Sequence, residues 1–111
     1  TINVDHPRKN LKFSHVRFAN EVVQSGDVAW LAVSMENDGE IDFENTKASI
    51  IIYELGMKVT GQTFTIQSGE QHSLGVGFIV PPNTAPGIYD VRLVVSNDQY
   101  KHIAHRTLRV I

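Results

Sequence analysis

Residues 23–27 read Val-Gln-Ser-Gly-Asp, and residues 66–70 read Ile-Gln-Ser-Gly-Glu. Five, seven and nine positions after each glycine stand apolar residues: Leu31, Val33 and Met35 in the first case, Leu74, Val76 and Phe78 in the second. A spacing of two puts side chains on one face of a β-strand. Ser-Gly before an acid is turn chemistry, because glycine reaches positive φ without steric cost. The doubled phrase predicts two strands, each led in by the same turn and aimed at the same core. Similarity stops outside the phrase, and a solenoid needs at least ~3 units, so a tandem repeat does not account for it.

Outward from these two phrases, strand and turn signals alternate and no stretch carries a helical period. Leu11 to Phe18 reads as a first strand; its apolar parity changes between Phe13 and Val16, predicting a bulge or a crossing between sheets. Residues 28–36 form the second, with Ala29, Leu31, Val33 and Met35 inward and Trp30, Ala32, Ser34 and Glu36 outward. Asn37-Asp38-Gly39 reads as a turn of residues that tolerate φ > 0. Ala48 to Leu55 is the third strand and Thr63 to Ile66 a short fourth. The fifth carries Leu74, Val76, Phe78 and Val80 and stops at Pro81-Pro82, since proline cannot extend a ladder. Tyr89, Val91, Leu93 and Val95 face inward on the sixth, and Leu108 and Val110 on the last.

The pattern predicts an all-β fold, a seven-stranded immunoglobulin-like antiparallel β-sandwich spanning residues 11–111, with residues 1–10 as an N-terminal extension or linker. In that topology the second and fifth strands are antiparallel neighbours. Trp30 then faces Gly75 and Gly77, and its indole is expected to cover the bare backbone there; a sugar-stacking platform is the functional alternative.

The 111 residues fit one domain, able to bury roughly 65% of its unfolded surface. Cysteine is absent, which excludes disulfide and thiol chemistry. No apolar run approaches the ~20 residues of a membrane-spanning helix. The chain begins at Thr1 rather than Met, which reads as a processed product or a piece of a longer chain. A net charge of −2 argues against a dedicated nucleic-acid binder. That average hides an asymmetry. Residues 6–20 hold Arg8, Lys9, Lys12 and Arg17, and residues 99–111 hold Lys101, Arg106 and Arg109, with no acid in either segment. Residues 21–98 hold eleven acids against Lys47, Lys58 and Arg92. First and last strands are expected to pair, bringing the two acid-free segments together as a basic edge suited to an acidic polysaccharide or to the acidic loop of a neighbouring copy.

No catalytic constellation is legible. His102 and His105 are three apart, so on a strand they point to opposite faces and cannot chelate together. Asp38, Glu40, Asp42 and Glu44 make an acidic loop without EF-hand spacing. Ser25 and Ser68 are turn formers, and no glycine-rich stretch has the pattern of a phosphate loop. No enzyme activity, metal or cofactor is expected. The run Ala48-Ser49-Ile50-Ile51-Ile52-Tyr53 is apolar on both faces, whereas a half-exposed strand alternates. With Ile50 and Ile52 inward, Ile51 and Tyr53 point out beside Ile88, Arg92 and Val94 of the sixth strand. These five residues are the candidate contact patch for another protein, a neighbouring domain or a second copy.

The order of motifs also resembles a known family. Gly26-Asp27, an alternating strand and Glu36-Asn37-Asp38-Gly39, followed by Ser68-Gly69-Glu70, Val80-Pro81-Pro82 and Pro86-Gly87-Ile88-Tyr89-Asp90-Val91, is similar to the CARDB-type domain, an immunoglobulin-like sandwich with relatives in archaeal surface-layer-like proteins. The resemblance covers residues 11–111. It implies a non-catalytic spacer or adhesion module of a prokaryotic cell-surface or secreted protein, extracellular or at the cell surface. A carbohydrate- or anion-binding accessory module is the alternative it implies. Antibody-type marks are missing: there are no paired cysteines and no tryptophan on the third strand.

Overall fold

The computed structural model describes residues 10–111. Among them are nine strands: β1 Leu11–Phe18, β2 Val22–Val23, β3 Val28–Asn37, β4 Phe43–Ile52, β5 Met57–Thr60, β6 Phe64–Ile66, β7 Gln71–Ile79, β8 Gly87–Ser96 and β9 Lys101–Val110. They form two layers. One sheet has the order β1-β3-β7; the other has the order β2-β9-β8-β4-β5, with β6 paired to β4 off that path. The immunoglobulin-like sandwich is as expected, but with nine strands in place of seven. The third strand starts earlier, at Phe43, and ends at Ile52. Tyr53–Leu55 form a 3-10 turn that Gly56 closes at φ 60°, sending β5 back along β4. β2 and β5 were missed because two and four residues are too short for a period to show.

The doubled phrase has a structural answer. Gly26 and Gly69 have φ of 88° and 80°. In each turn the acid's N–H donates to the glutamine carbonyl three residues back, Asp27 to Gln24 at 3.0 Å and Glu70 to Gln67 at 2.9 Å, the bond of a β-turn with glycine at its third position. The Asp27 carboxylate also accepts from Gln24 N–H at 2.8 Å, and the Glu70 carboxylate from Gln67 N–H at 3.4 Å. β3 and β7 pair antiparallel from Val28↔Ile79 to Glu36↔Gln71. Beyond the ladder's two ends the same bonds recur. Gly26 N–H donates to Val80 O and Val80 N–H to Asp27 O; Gly69 N–H donates to Asn37 O and Asn37 N–H to Glu70 O. An antiparallel pair is two-fold symmetric, so one turn chemistry closes it at both ends.

Parity along each strand is as expected. Leu31, Val33, Met35, Ile50, Ile52, Val76, Phe78, Tyr89, Val91 and Leu93 are all in the core, while Trp30 is 49% exposed. The register shift in β1 falls between Phe13 and His15. Trp30 lies over both glycines of β7: a methyl group on Gly75 would overlap the indole, and one on Gly77 would come within 2.7 Å of Trp30 Cε3. Gly75→Ala must therefore lift the ring. The expected cost is about 1–2 kcal/mol, with a red shift in the emission of Trp30, the only tryptophan. Unchanged emission would mean that the ring does not rest on the strand.

Two expectations are corrected. The first and last strands do not pair. β1 belongs to the small sheet, and β9 lies in the large one between β8 and β2, with β2 parallel to it. The chain crosses between sheets after Phe18, so the two-residue β2 takes the place expected for β1. Asn37-Asp38-Gly39 does not use positive φ; among the described residues that region holds only Gly26, Asn45, Gly56, Gly69 and Asn83. Asn37 is instead a buried anchor. Its amide donates to Ile41 O at 2.8 Å and to Ile66 O at 3.0 Å, and its side-chain oxygen accepts from Gly39 N–H at 3.0 Å.

Candidate interaction face

Register fixes which side chains share the outer face of the large sheet. One row runs Lys58–Ile51–Arg92–His105 across β5, β4, β8 and β9; the next runs Thr60–Ser49–Val94–Ile103; a third runs Lys47–Ser96–Lys101. Strands are spaced about 4.8 Å apart. Ile51, Val94 and Ile103 therefore form an apolar centre, with Lys58 and His105 at one end and Lys47 and Lys101 at the other. Ile51 and Val94 are half-buried, and Ile103 is 40% exposed. Ser49 is covered by the Ser49–Thr60 hydroxyl pair at 2.9 Å.

Tyr53, carried past the strand end by the 3-10 turn, is exposed and folds back toward Arg92. Arg92 Nη1 donates to the Tyr53 hydroxyl at 3.2 Å, and its guanidinium carbon stands 5.1 Å from the ring centroid. This contact holds the arginine head over the face by charge–quadrupole attraction. Tyr53, Glu54, Asp90, Arg92 and His105 line a hollow of about 390 Å³ there. A second of about 270 Å³ lies over the apolar centre. Among the described residues, none of Lys47, Lys58, Arg92 and Lys101 forms an ion pair. The face is thus positive on a chain whose net charge is −2.

Four of the five patch residues, Ile51, Tyr53, Arg92 and Val94, come together. Ile88 does not: it pairs with Arg109 at the far end of β8 and lines a separate hollow of about 470 Å³ with Arg17, Val22 and Arg106. Residues on one strand face separated by four positions lie about 13 Å apart, and Asp90 stands between Ile88 and Arg92. Ile103 and the three lysines of this face were missed. Chain position alone groups Lys101 with the basic edge, and the register that brings it into one row with Lys47 is not written in either segment.

The basic edge also divides. Arg8 and Lys9 lie outside the described residues. Lys12 stands opposite Glu36 and Arg17 opposite Ala32 on β3. β1 and β9 do meet across the open side of the sandwich, by side chains rather than by a ladder. Arg106 Nε donates to Val16 O at 2.9 Å, the Tyr100 hydroxyl accepts from Leu11 N–H at 3.4 Å, and the Phe13 and His102 rings lie 4.5 Å apart. Arg106 is thereby a clasp between sheets, Lys101 joins the outer face, and Arg109 sits beside Ile88.

His102 points inward and His105 outward, as their spacing requires. Of the acidic loop, Asp42 accepts from Ser68 N–H at 2.7 Å, and Asp38 accepts from the Asn10 amide at 3.3 Å. Among the described residues no three His, Asp or Glu side chains gather as a metal site.

No family model matches this chain, and no curated protein matches it. Solved structures do. A CARDB domain from Pyrococcus furiosus, solved in complex with di-metal ions, is 19% identical with a TM-score of 0.68, over 100% of this chain and 94% of that one. A Niemann-Pick type C2 protein from the Japanese carpenter ant is 13% identical with a TM-score of 0.67, over 91% and 92%. The alkylpurine DNA glycosylase AlkC of Pseudomonas fluorescens, bound to DNA containing an abasic site analog, is 14% identical with a TM-score of 0.67, over 90% of this chain; the chain spans 30% of that protein. At such identities the shared property is the fold. The chain has the CARDB-type immunoglobulin-like fold.

Proposed function

We propose that this chain is a non-catalytic spacer or adhesion module of a prokaryotic cell-surface or secreted protein, joined to a partner protein or a neighbouring domain through the outer face of the large sheet. The observation that supports this reading is the apolar centre of Ile51, Val94 and Ile103, framed by Lys47, Lys58, Arg92 and Lys101, none of which forms an ion pair among the described residues. A solvated sheet face normally carries polar side chains; an apolar centre with a polar rim is the anatomy of a contact surface. Ile51→Lys is expected to leave thermal stability within about 0.5 kcal/mol and to reduce self-association, or binding to the adjoining domain of the same protein, at least tenfold by light scattering or calorimetry. Unchanged association would remove this face from the contact.

A second reading, the binding of an acidic carbohydrate, is favoured by Lys47, Lys58, Arg92 and Lys101, which share one face and form no ion pair among the described residues. Retention on an immobilised acidic polysaccharide at low salt would support it. That retention should vanish in Lys58→Glu/Lys101→Glu and fade with salt, as the Debye length falls from about 10 Å at 0.1 M to about 3 Å at 1 M. Retention indifferent to both would defeat it.

A further inference from the structure

Each sheet has two edges, and an exposed edge strand is a template for another chain unless something guards it. Three of the four edges are guarded. β1 carries Lys12 and Arg17, has a register shift between Phe13 and His15, and is clasped by Arg106. β2 has two residues; β5 has four, with Lys58 among them, and β6, which shares that edge of β4, has three. The fourth edge, β7, is different. It runs nine residues, Gln-His-Ser-Leu-Gly-Val-Gly-Phe-Ile, with no Asp, Glu, Lys, Arg or Pro. It pairs with β3 in unbroken register. No strand pairs with its other side among the described residues: a groove of about 370 Å³ lies beside it, walled by Gly61, Gln62, Thr63 and Phe64, and the only ring contact across it is Phe64 stacked on His72 at 4.6 Å.

We propose that the free edge of β7 pairs antiparallel with β7 of a second copy of this chain, joining two three-stranded sheets into one of six. The strand's own composition selects this occupant. Antiparallel self-pairing is two-fold symmetric and self-complementary, and a strand without charge meets itself without like-charge repulsion. A register centred on Gly75 sets Leu74 opposite Val76 and Ser73 opposite Gly77, so inward residues meet inward residues and neither core face is turned out. Leu74, half-buried at the rim, is then covered. On the outer face the indole of Trp30 extends over Gly75, so the two rings approach across the joint. Val28 and Ile79, each 62% exposed, continue the apolar surface on the same face.

The contact is a strip about 30 Å long and about 10 Å deep, small beside the roughly 1,000 Å² of a stable interface. The pair is therefore weak, with Kd on the order of 0.1–1 mM, and is populated where copies are tethered or crowded. This proposal does not rest on the contact face of the large sheet.

The test is sedimentation or light scattering of the chain from micromolar to millimolar concentration, with Trp30 emission followed in parallel. The expected result is an apparent mass rising toward twice that of the monomer, with a blue shift of the single tryptophan. Gln71→Lys/Ser73→Lys and, separately, Gln71→Asp/Ser73→Asp should both abolish dimerisation. All four substitutions fall on exposed side chains, so thermal unfolding should confirm an intact fold. Loss with either sign of charge points to edge pairing rather than attraction to an acidic or basic surface. A monomer at every concentration overturns the proposal, as does a dimer that both double variants leave intact. A dimer broken by Ile51→Lys and not by the β7 charges assigns association to the large sheet and overturns it as well, while supporting the function proposed above.

Discussion

Asn37→Leu is expected to lower the stability of the fold by about 3–5 kcal/mol, a large part of the ~5–15 kcal/mol that holds a domain together. Leucine keeps the branching of asparagine and is bulkier, so the loss is not a cavity. It comes from Ile41 O, Ile66 O and Gly39 N–H, whose partners at 2.8, 3.0 and 3.0 Å all belong to this one amide. Asn37 has no exposed surface, so water does not replace what is removed. Each buried polar group left unpaired costs about 1–3 kcal/mol. The amide also ties three segments together: the loop after β3, the end of β6 and, through the Asn37 main chain, the 67–70 turn. Asn97 is the control. Its side-chain oxygen accepts from Gln99 and Tyr100 N–H at 2.9 and 2.8 Å in a half-exposed turn. Water substitutes there, and Asn97→Ala should cost about 1 kcal/mol. Urea unfolding of both variants decides: equal losses would show that the amide of Asn37 is not a buried anchor.

Leu93→Ala is expected to cost about 3–4 kcal/mol. Leu93 is 1% exposed on β8, which is held on both sides by β4 and β9 through Leu93↔Ile50 and Leu93↔Ala104. A central strand bonded on two sides cannot move inward to fill the space, so the cavity persists and adds to the lost transfer energy. Leu74→Ala makes the contrast. Leu74 is half-buried on the free edge of β7, where the strand can relax, and its loss should stay below about 1.5 kcal/mol. The measured quantity is the denaturation midpoint at unchanged slope. Similar costs at the two positions would show that the core is not centred on β8.

What depends on local period can be read directly from the order of residues. Alternation in residues 28–36 and 89–95 settles which side chains are inward, because a strand has only two faces and one of them is buried. The Gly-acid turns settle where β3 and β7 begin, and the two glycines opposite Trp30 settle where its ring lies. The inward and outward parity of His102 and His105 follows from the same rule, as does the outward position of Ile51 and Val94 on the large sheet. Pairing between distant segments emerges only in the folded chain. A ladder of backbone hydrogen bonds carries no side-chain signature, so nothing local tells β9 to lie against a two-residue β2 rather than against β1. Nor does anything local place Lys58, Lys47 and Lys101 around one apolar centre. Asn37 shows the same limit at one residue: its type announces a turn, but its partners Ile41 and Ile66 are set by how β3 and β6 meet. Alternation fixes faces within a strand; only the packed register decides which faces become neighbours.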